Sequence, residues 1–221
     1  MIFMFKQLFW RPFLALLVLT ASVNALAIDQ DWEEAKAVVE ETTEKMLVLM
    51  SDQSLLSANN KDRLETEIQN IVTPVIDFYG FGRGVMGRFA RTATEDELQR
   101  FAGILKTTLV RTYSIAVSDF SVASYRIVPP RASSPRPELQ VVNVVMTSSA
   151  GQTFNILYYM RKDEDRWMLV NVMVEGINLR LTFQNQFADM YQRARSVSGV
   201  IDGWEERVAS TIAQVVKDVE G

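Results

Sequence analysis

Cysteine and histidine are both absent from the 221 residues. Without cysteine there is no disulfide, thiolate nucleophile, iron–sulfur cluster or thiolate zinc site. Without histidine the imidazole metal sites and every Ser–His or Cys–His catalytic arrangement are excluded. Carboxylate chemistry is what remains, and no cofactor is expected. Basic charge is also scarce: 23 Lys+Arg stand against 27 Asp+Glu, a formal net charge of −4. Nucleic-acid binding needs a dense cationic footprint, so nucleic acid is not an expected partner. Repeats and low-complexity tracts are lacking too. The 48% apolar content is that of a chain able to bury a core and offset its conformational entropy.

The first 27 residues have the layout of a secretory signal peptide. Lys6 and Arg11 form a basic start, Pro12 to Val23 is an uncharged apolar run, and Ala25-Leu26-Ala27 is a small-residue cleavage pattern. The run is about 12 residues, against roughly 20 for a membrane span. Residues 28–221 are then expected as a single exported domain. Without a disulfide, its core alone must hold it together.

Along that domain the apolar period first favours helices. Trp32, Ala35, Val39, Met46 and Leu49 mark one over Asp31 to Met50, and Leu64, Ile68 and Ile71 another over Lys61 to Val72. Asp77 to Arg91 carries helical apolar spacing, but Gly80, Gly82, Gly84 and Gly87 weaken it to a bent or loosely wound helix. Thr94 and Glu97 make a capping box, and Leu98, Phe101, Leu105, Leu109 and Tyr113 follow at helical spacing to about Ser118. The period then falls to two. Four strands are predicted: Phe120 to Val128, Leu139 to Ser148, Thr153 to Lys162 and Trp167 to Glu175. Gly176 ends the last, and helices are expected over Asn185 to Ser196 and Asp202 to Val219. Short connections imply antiparallel pairing, and separate blocks of helices and strands imply α+β.

Candidate chemistry is sparse. The segment Gly80 to Gly84 lacks the preceding strand and the following acidic residue of a dinucleotide fingerprint. Asp163-Glu164-Asp165 fits a solvated turn better than a metal site. Glu175, near Asn171 and Asn178, is the one candidate general base, with a structural hydrogen bond as its plainer role. Arg83, Arg88, Arg91, Arg100, Lys106 and Arg111 form a basic stretch, either a solvated face or a docking surface for an acidic partner or anionic headgroup.

The strand faces carry more. Val142, Val144 and Met146 share a face with Phe154, Ile156, Tyr158 and Met160, and with Met168, Val170, Val172 and Val174. The opposite face is also partly apolar, with Leu139, Val141, Val145, Leu157, Tyr159, Trp167, Leu169 and Met173. A sheet apolar on both sides must bury both faces or line a cavity with one.

Several segments together resemble the MlaC family. They are Pro74 to Phe78, Val85-Met86-Gly87-Arg88, Ala93-Thr94-Glu95, Phe101 to Tyr113, Tyr159-Met160-Arg161, Trp167, Val174 to Ile177, Phe187, Gly199 and Ile201 to Trp204. The likeness spans roughly residues 35 to 205. Met86 stands where that family often has Leu, Asn171 where it has Asp, Asn178 where it has Ser, and Gln184 where it has Arg. The resemblance implies a periplasmic phospholipid-binding auxiliary of an ABC transporter, of the kind tied to toluene tolerance. Such a protein shuttles phospholipid between an outer-membrane lipoprotein complex and the inner-membrane ABC transporter's receiving subunit, maintaining outer-membrane lipid asymmetry.

The expected fold is therefore α+β, a four-stranded antiparallel sheet with helices packed over it, enclosing an apolar lipid-tail cavity. Its expected walls are Val85 and Met86, then Phe101, Leu105, Leu109 and Tyr113. From the strands come Phe154, Ile156 and Tyr158, and Val170, Val172 and Val174. Ile177 and Leu179 follow. Arg88 and Arg161 are the candidates for headgroup or partner docking. Two rivals remain at this point: an enzyme using Glu175 as general base in a pocket, and a solid-core adaptor docking through the Arg-rich helix.

Overall fold

The computed structural model describes residues 29–119 and 121–208. The expected signal peptide, Phe120 and the end of the last predicted helix lie outside them. Four helices come first: α1 (Gln30–Ser51), α2 (Lys61–Val72), α3 (Phe78–Met86) and α4 (Glu95–Asp119). The strands are β1 (Val122–Val128), β2 (Leu139–Ser148), β3 (Thr153–Asp163), β4 (Arg166–Val174) and β5 (Ile177–Asn178). Helices α5 (Leu179–Ala194) and α6 (Val197–Asp202) follow. The sheet order is β1-β2-β3-β4-β5, with every neighbouring pair antiparallel.

The sheet thus has five strands, where four were expected. β5 is two residues long, too short for any periodicity to register. It exists because Glu175 (φ 48°) and Gly176 (φ 83°) both adopt positive φ, the geometry of a tight hairpin turn. Asn178 then ends β5 and caps α5 at once, its side chain accepting from Leu181 N at 3.0 Å. That cap starts α5 at Leu179, six residues before the expected Asn185.

The glycine-rich segment is helical for a reason of packing. Asp77 caps α3, accepting from Gly80 N at 2.7 Å. A Cβ at Gly82 would lie 3.3 Å from Leu105 and 3.4 Å from Phe101, so glycine here allows α3 to approach α4 closely. Gly87, at φ 56° and ψ −122°, ends α3 in a conformation that side chains oppose. Farther along, the capping box forms as expected: Thr94 N donates to Glu97, and Glu97 N to Thr94 Oγ1.

Three clusters make the core. Val85, Met86, Phe101, Leu105, Phe183, Phe187 and Trp204 pack α3, α4, α5 and the helical residues 204–208 together. Ala35 and Val39 of α1 lie on Val142, Val144, Met160 and Trp167 of the sheet. Met46 and Leu49 of α1 meet Leu64 and Ile68 of α2 and Val110 of α4. Among the described residues no helix is long and apolar enough to cross a membrane.

The fourth strand departs from simple alternation. Tyr159 pairs with Asn171 but Met160 pairs with Leu169, leaving Val170 as the extra residue of a β-bulge. The bulge inverts the facing of everything before it. Trp167 and Leu169 therefore join Val172 and Val174 on the α1 side, and Met168 goes to the other side. The expected grouping of Met168 with Val172 and Val174 is corrected by this one inserted residue.

Candidate functional site

Register places Val142, Val144, Ile156, Tyr158, Val172 and Val174 on the face that meets α1. Val142 and Val144, under α1, are fully buried. Ile156, Tyr158, Val172 and Val174, in the two inner strands farther along, are only half-buried. Inner strands of a filled layer pair would be closed on this side. The backbone explains the difference. α1, α3 and α5 approach the sheet, whereas α4 makes its close approaches to α2, α3 and α6.

Tyr113, expected as a wall residue, stands on α4. It retains 44% of its accessible surface. Desolvation by the surrounding protein pushes its phenol up to about 12. Tyr158 of β3 is raised as well, first by burial and then by the charge of Tyr113.

The remaining wall candidates divide in two. Val85, Met86, Phe101 and Leu105 are closed inside the helical core, with Leu109 and Leu179 half-buried against it. Phe154 is buried, and Val170 and Ile177 are half-buried. The structure thus brings Tyr158 together with Val172, Val174 and Ile156 on one sheet face and leaves Tyr113 exposed on α4. It gathers the other group into an aromatic cluster, where Phe101 and Trp204 meet edge-on with centroids 4.9 Å apart.

The charged candidates are largely engaged. Arg161 pairs with Asp77 at 2.5 Å and so holds the residue that caps α3. Arg88 is exposed, its guanidinium 4.9 Å from the Phe89 ring. Arg100 pairs with Asp202 and Arg111 with Glu205, which ties α4 to the C-terminal helices. Glu175 does not enter a pocket. It is exposed in the β4–β5 turn, its carboxylate accepting from Asn155 N and its own N–H donating to Asn155 O. Asp163, Glu164 and Asp165 span the β3–β4 turn, with Glu164 at φ 52°. Among the described residues no group of three or more His, Cys, Asp or Glu could hold a metal.

Three residues that depart from the family pattern meet in space, which no spacing in the sequence signals. Asn171 accepts from Arg180 N at 3.2 Å, Asn178 caps α5, and Gln184 Nε2 donates to Gly84 O at 3.3 Å. Asn178 and Gln184, with Gly84, Gly87, Arg180 and Leu181, line a surface cleft of about 420 Å³. A second cleft of about 660 Å³ lies at Met190, Arg193 and Gly203. Neither is lined by Tyr113, Tyr158, Val172 or Val174.

Comparison with known proteins agrees with the resemblance seen in the sequence. The family model described as "MlaC protein" matches residues 40–206. The toluene tolerance protein ttg2D of Pseudomonas putida is 28% identical over 196 residues, covering 88% of this chain and 89% of that protein. Among solved structures, a phospholipid-binding protein from Ralstonia solanacearum in complex with a phospholipid has the same fold. Its TM-score is 0.70 at 23% identity, over 81% of this chain and 99% of that one.

Proposed function

Because the chain belongs to the MlaC family, we propose that it is a periplasmic phospholipid carrier, exported by a signal peptide cleaved after Ala27. It takes up one phospholipid with its acyl chains between α4 and the inner strands β3 and β4, leaving the headgroup toward solvent. It passes lipid between an outer-membrane lipoprotein complex and the receiving subunit of an inner-membrane ABC transporter, and so maintains outer-membrane lipid asymmetry. No bond is made or broken in this cycle, and the protein is not an enzyme.

The observation that carries the reading is the match of the family model to residues 40–206, together with an apolar face of the inner strands that is only half-buried. Ile156, Tyr158, Val172 and Val174 make up that face, which serves as the floor for the acyl chains. The fold shared with the phospholipid complex from Ralstonia solanacearum supports the same occupant. Leu109, Val170, Ile177 and Leu179 extend the wall, while Val85, Met86, Phe101 and Leu105 back it from the helical core. Arg88, exposed and in no ion pair among the described residues, is the surface candidate for partner or headgroup.

The energetics suit a carrier. Exposing one tail of about 15 methylenes to water costs roughly 12 kcal/mol at ~0.8 each. Unassisted crossing of an aqueous gap is therefore slow, and enclosure removes the cost. The membrane interior is equally apolar, so net transfer energy stays near zero and loading is reversible. Protein purified from bacteria, extracted and examined by lipid mass spectrometry, is expected to yield about one phospholipid per chain. Native mass spectra showing only empty protein at low activation energy would overturn the proposal.

A further inference from the structure

Two side chains of α5 lie in two notches of α3. A Cβ added at Gly84 would fall 2.8 Å from Arg180 Cδ and 3.6 Å from its Nη1, and one at Gly87 would collide with Gln184 Nε2. Glycine within a helix weakens it relative to alanine. What the missing side chain at Gly84 admits is the stem of Arg180, laid along α3 instead of ranging through solvent. With Asn178 and Leu181 these residues line the cleft of about 420 Å³. That volume is within the roughly 300–1,000 Å³ of small-ligand sites. The lining carries donors and no carboxylate. Among the described residues the Arg180 guanidinium is in no ion pair or hydrogen bond, and all its N–H groups are available. Asn178 spends its Oδ1 on Leu181 N and keeps its amide N–H groups, and Gln184 spends one N–H on Gly84 O and keeps the other. α3 has no acidic residue, and Asp189 of α5, nine positions beyond Arg180, is on the far side of that helix. The end of α5 contributes nothing, since Arg180 N and Leu181 N are taken by Asn171 and Asn178.

We propose that this cleft binds a phosphate ester, its phosphate on Arg180, Asn178 and Gln184 and its carbon part against Leu181. A guanidinium alone suits a planar carboxylate and a tetrahedral phosphate alike. Here two amides flank it along the seam, Asn178 before it and Gln184 one turn beyond. Donors spread in this way match an anion whose oxygens point in several directions. Leu181 keeps 52% of its accessible surface beside them. A bare anion leaves that leucine in water, whereas the carbon part of an ester covers it. Asn178 and Gln184 are among the departures from the family pattern, so the cleft is a property of this chain. It is lined by none of the acyl-floor residues, and the inference does not depend on the carrier reading. The ester is either a soluble glycerol phosphate or a phospholipid headgroup presented by a membrane.

The test titrates the purified protein with glycerol 3-phosphate, which has no acyl chain, and with inorganic phosphate, read by heteronuclear NMR. Wild type is expected to bind glycerol 3-phosphate saturably, with shifts centred on the cleft, and inorganic phosphate several-fold more weakly. Arg180→Gln is expected to weaken glycerol 3-phosphate about tenfold, through loss of one charge-assisted contact. Gly84→Ala keeps the charge but fills the notch. It is expected to weaken binding several-fold while the melting temperature holds or rises, because alanine favours a helix. Flotation with vesicles of phosphatidylglycerol in phosphatidylcholine separates the two sources. Vesicle binding by wild type and not by Arg180→Gln assigns a membrane headgroup, and soluble binding without vesicle binding assigns a soluble ester. Absence of saturable glycerol 3-phosphate binding overturns the site, and so does equal binding by wild type and Arg180→Gln. Equal affinity for both soluble probes means an adventitious ion only and overturns the ester. Each of these failures leaves the yield of co-purified phospholipid unchanged, so this proposal and the carrier reading fail separately.

Discussion

The ammonium of Lys162 lies 2.9 Å from the carboxylates of both Asp31 and Glu34, fastening β3 to the first turns of α1. Trp167 Nε1 also donates to Glu34, at 3.2 Å. These hydrogen bonds hold the Glu34 carboxyl below its ordinary 4.5, Lys162 contributing most, then Trp167 and Gln30. A carboxylate depressed on folding adds stability that is fully present above its unfolded value and is lost as pH falls through its folded value. Lys162, raised first by Asp31 and then by Glu34, adds stability below its ordinary 10.5 that is lost only in strong alkali. The melting temperature is therefore expected to fall as pH drops below about 4.5. Glu34→Gln is expected to melt lower at neutral pH and to show a shallower acid decline. Parallel acid declines in the two proteins would refute this role.

Filling the proposed space should separate binding from folding. Val172 lies opposite Tyr158 in register and is half-buried. Val172→Trp is expected to lower lipid occupancy several-fold in native mass spectra while circular dichroism and the melting transition stay near wild type. Full occupancy in this variant would remove the face assignment.

The helical core should respond in the opposite way. Phe101 is fully buried, with ring contacts to Phe187 and Trp204. Phe101→Ala is expected to cost about 3–5 kcal/mol in chemical denaturation, because it opens a cavity in packed material. Val172→Ala, beside accessible space, is expected to cost less than about 1 kcal/mol, since little packing surrounds it to lose. Equal costs would mean that the sheet face is as closely filled as the core.

Gly87 combines a positive φ with a close neighbour. A Cβ there would fall 2.3 Å from Gln184 Nε2. Gly87→Ala is expected to destabilise the protein by about 1–3 kcal/mol, measured by urea denaturation, through backbone strain and displacement of Gln184. Wild-type stability would show that α3 can end without that conformation.

Alkaline titration reads the two phenols raised most by desolvation, Tyr113 and Tyr158. Tyr113 is pushed up to about 12 by burial, against an ordinary 10.0. A group raised on folding supports the native state below its unfolded value, and that support is lost as pH rises through its folded value. Tyrosinate absorbance is expected to show a late-ionising fraction above pH about 10, coinciding with loss of native signal. Tyr113→Phe should remove part of that fraction; an unchanged late fraction would place Tyr113 in ordinary solvent.

Much of the fold was legible before any coordinates. The Lys61–Val72 helix and the Leu139–Ser148 strand match their expected limits, because each has a clean period and a polar break at its ends. The capping box of Thr94 and Glu97 is legible because its partners are three residues apart. Gly80 to Gly84 was harder, since low intrinsic propensity is overridden by contact with Phe101 and Leu105. The shift of α5 and the existence of β5 were illegible for a similar reason. One residue, Asn178, serves as strand end and cap together, and only the pairing of β5 with β4 reveals it.

By itself the amino-acid sequence determined the exclusion of cysteine and histidine chemistry, the α+β order, the antiparallel strands and the kinship with the MlaC family. These depend on composition and on periods within about ten residues, where local geometry is fixed by the chain alone. Tertiary structure decided which apolar residues became packed core and which border open space. The bulge at Val170 exchanged the faces of Trp167 and Met168, and the docking of α4 on other helices left Tyr113 exposed. Alternation assigns a side chain to a face, but only the distance to the next layer determines whether that face is filled.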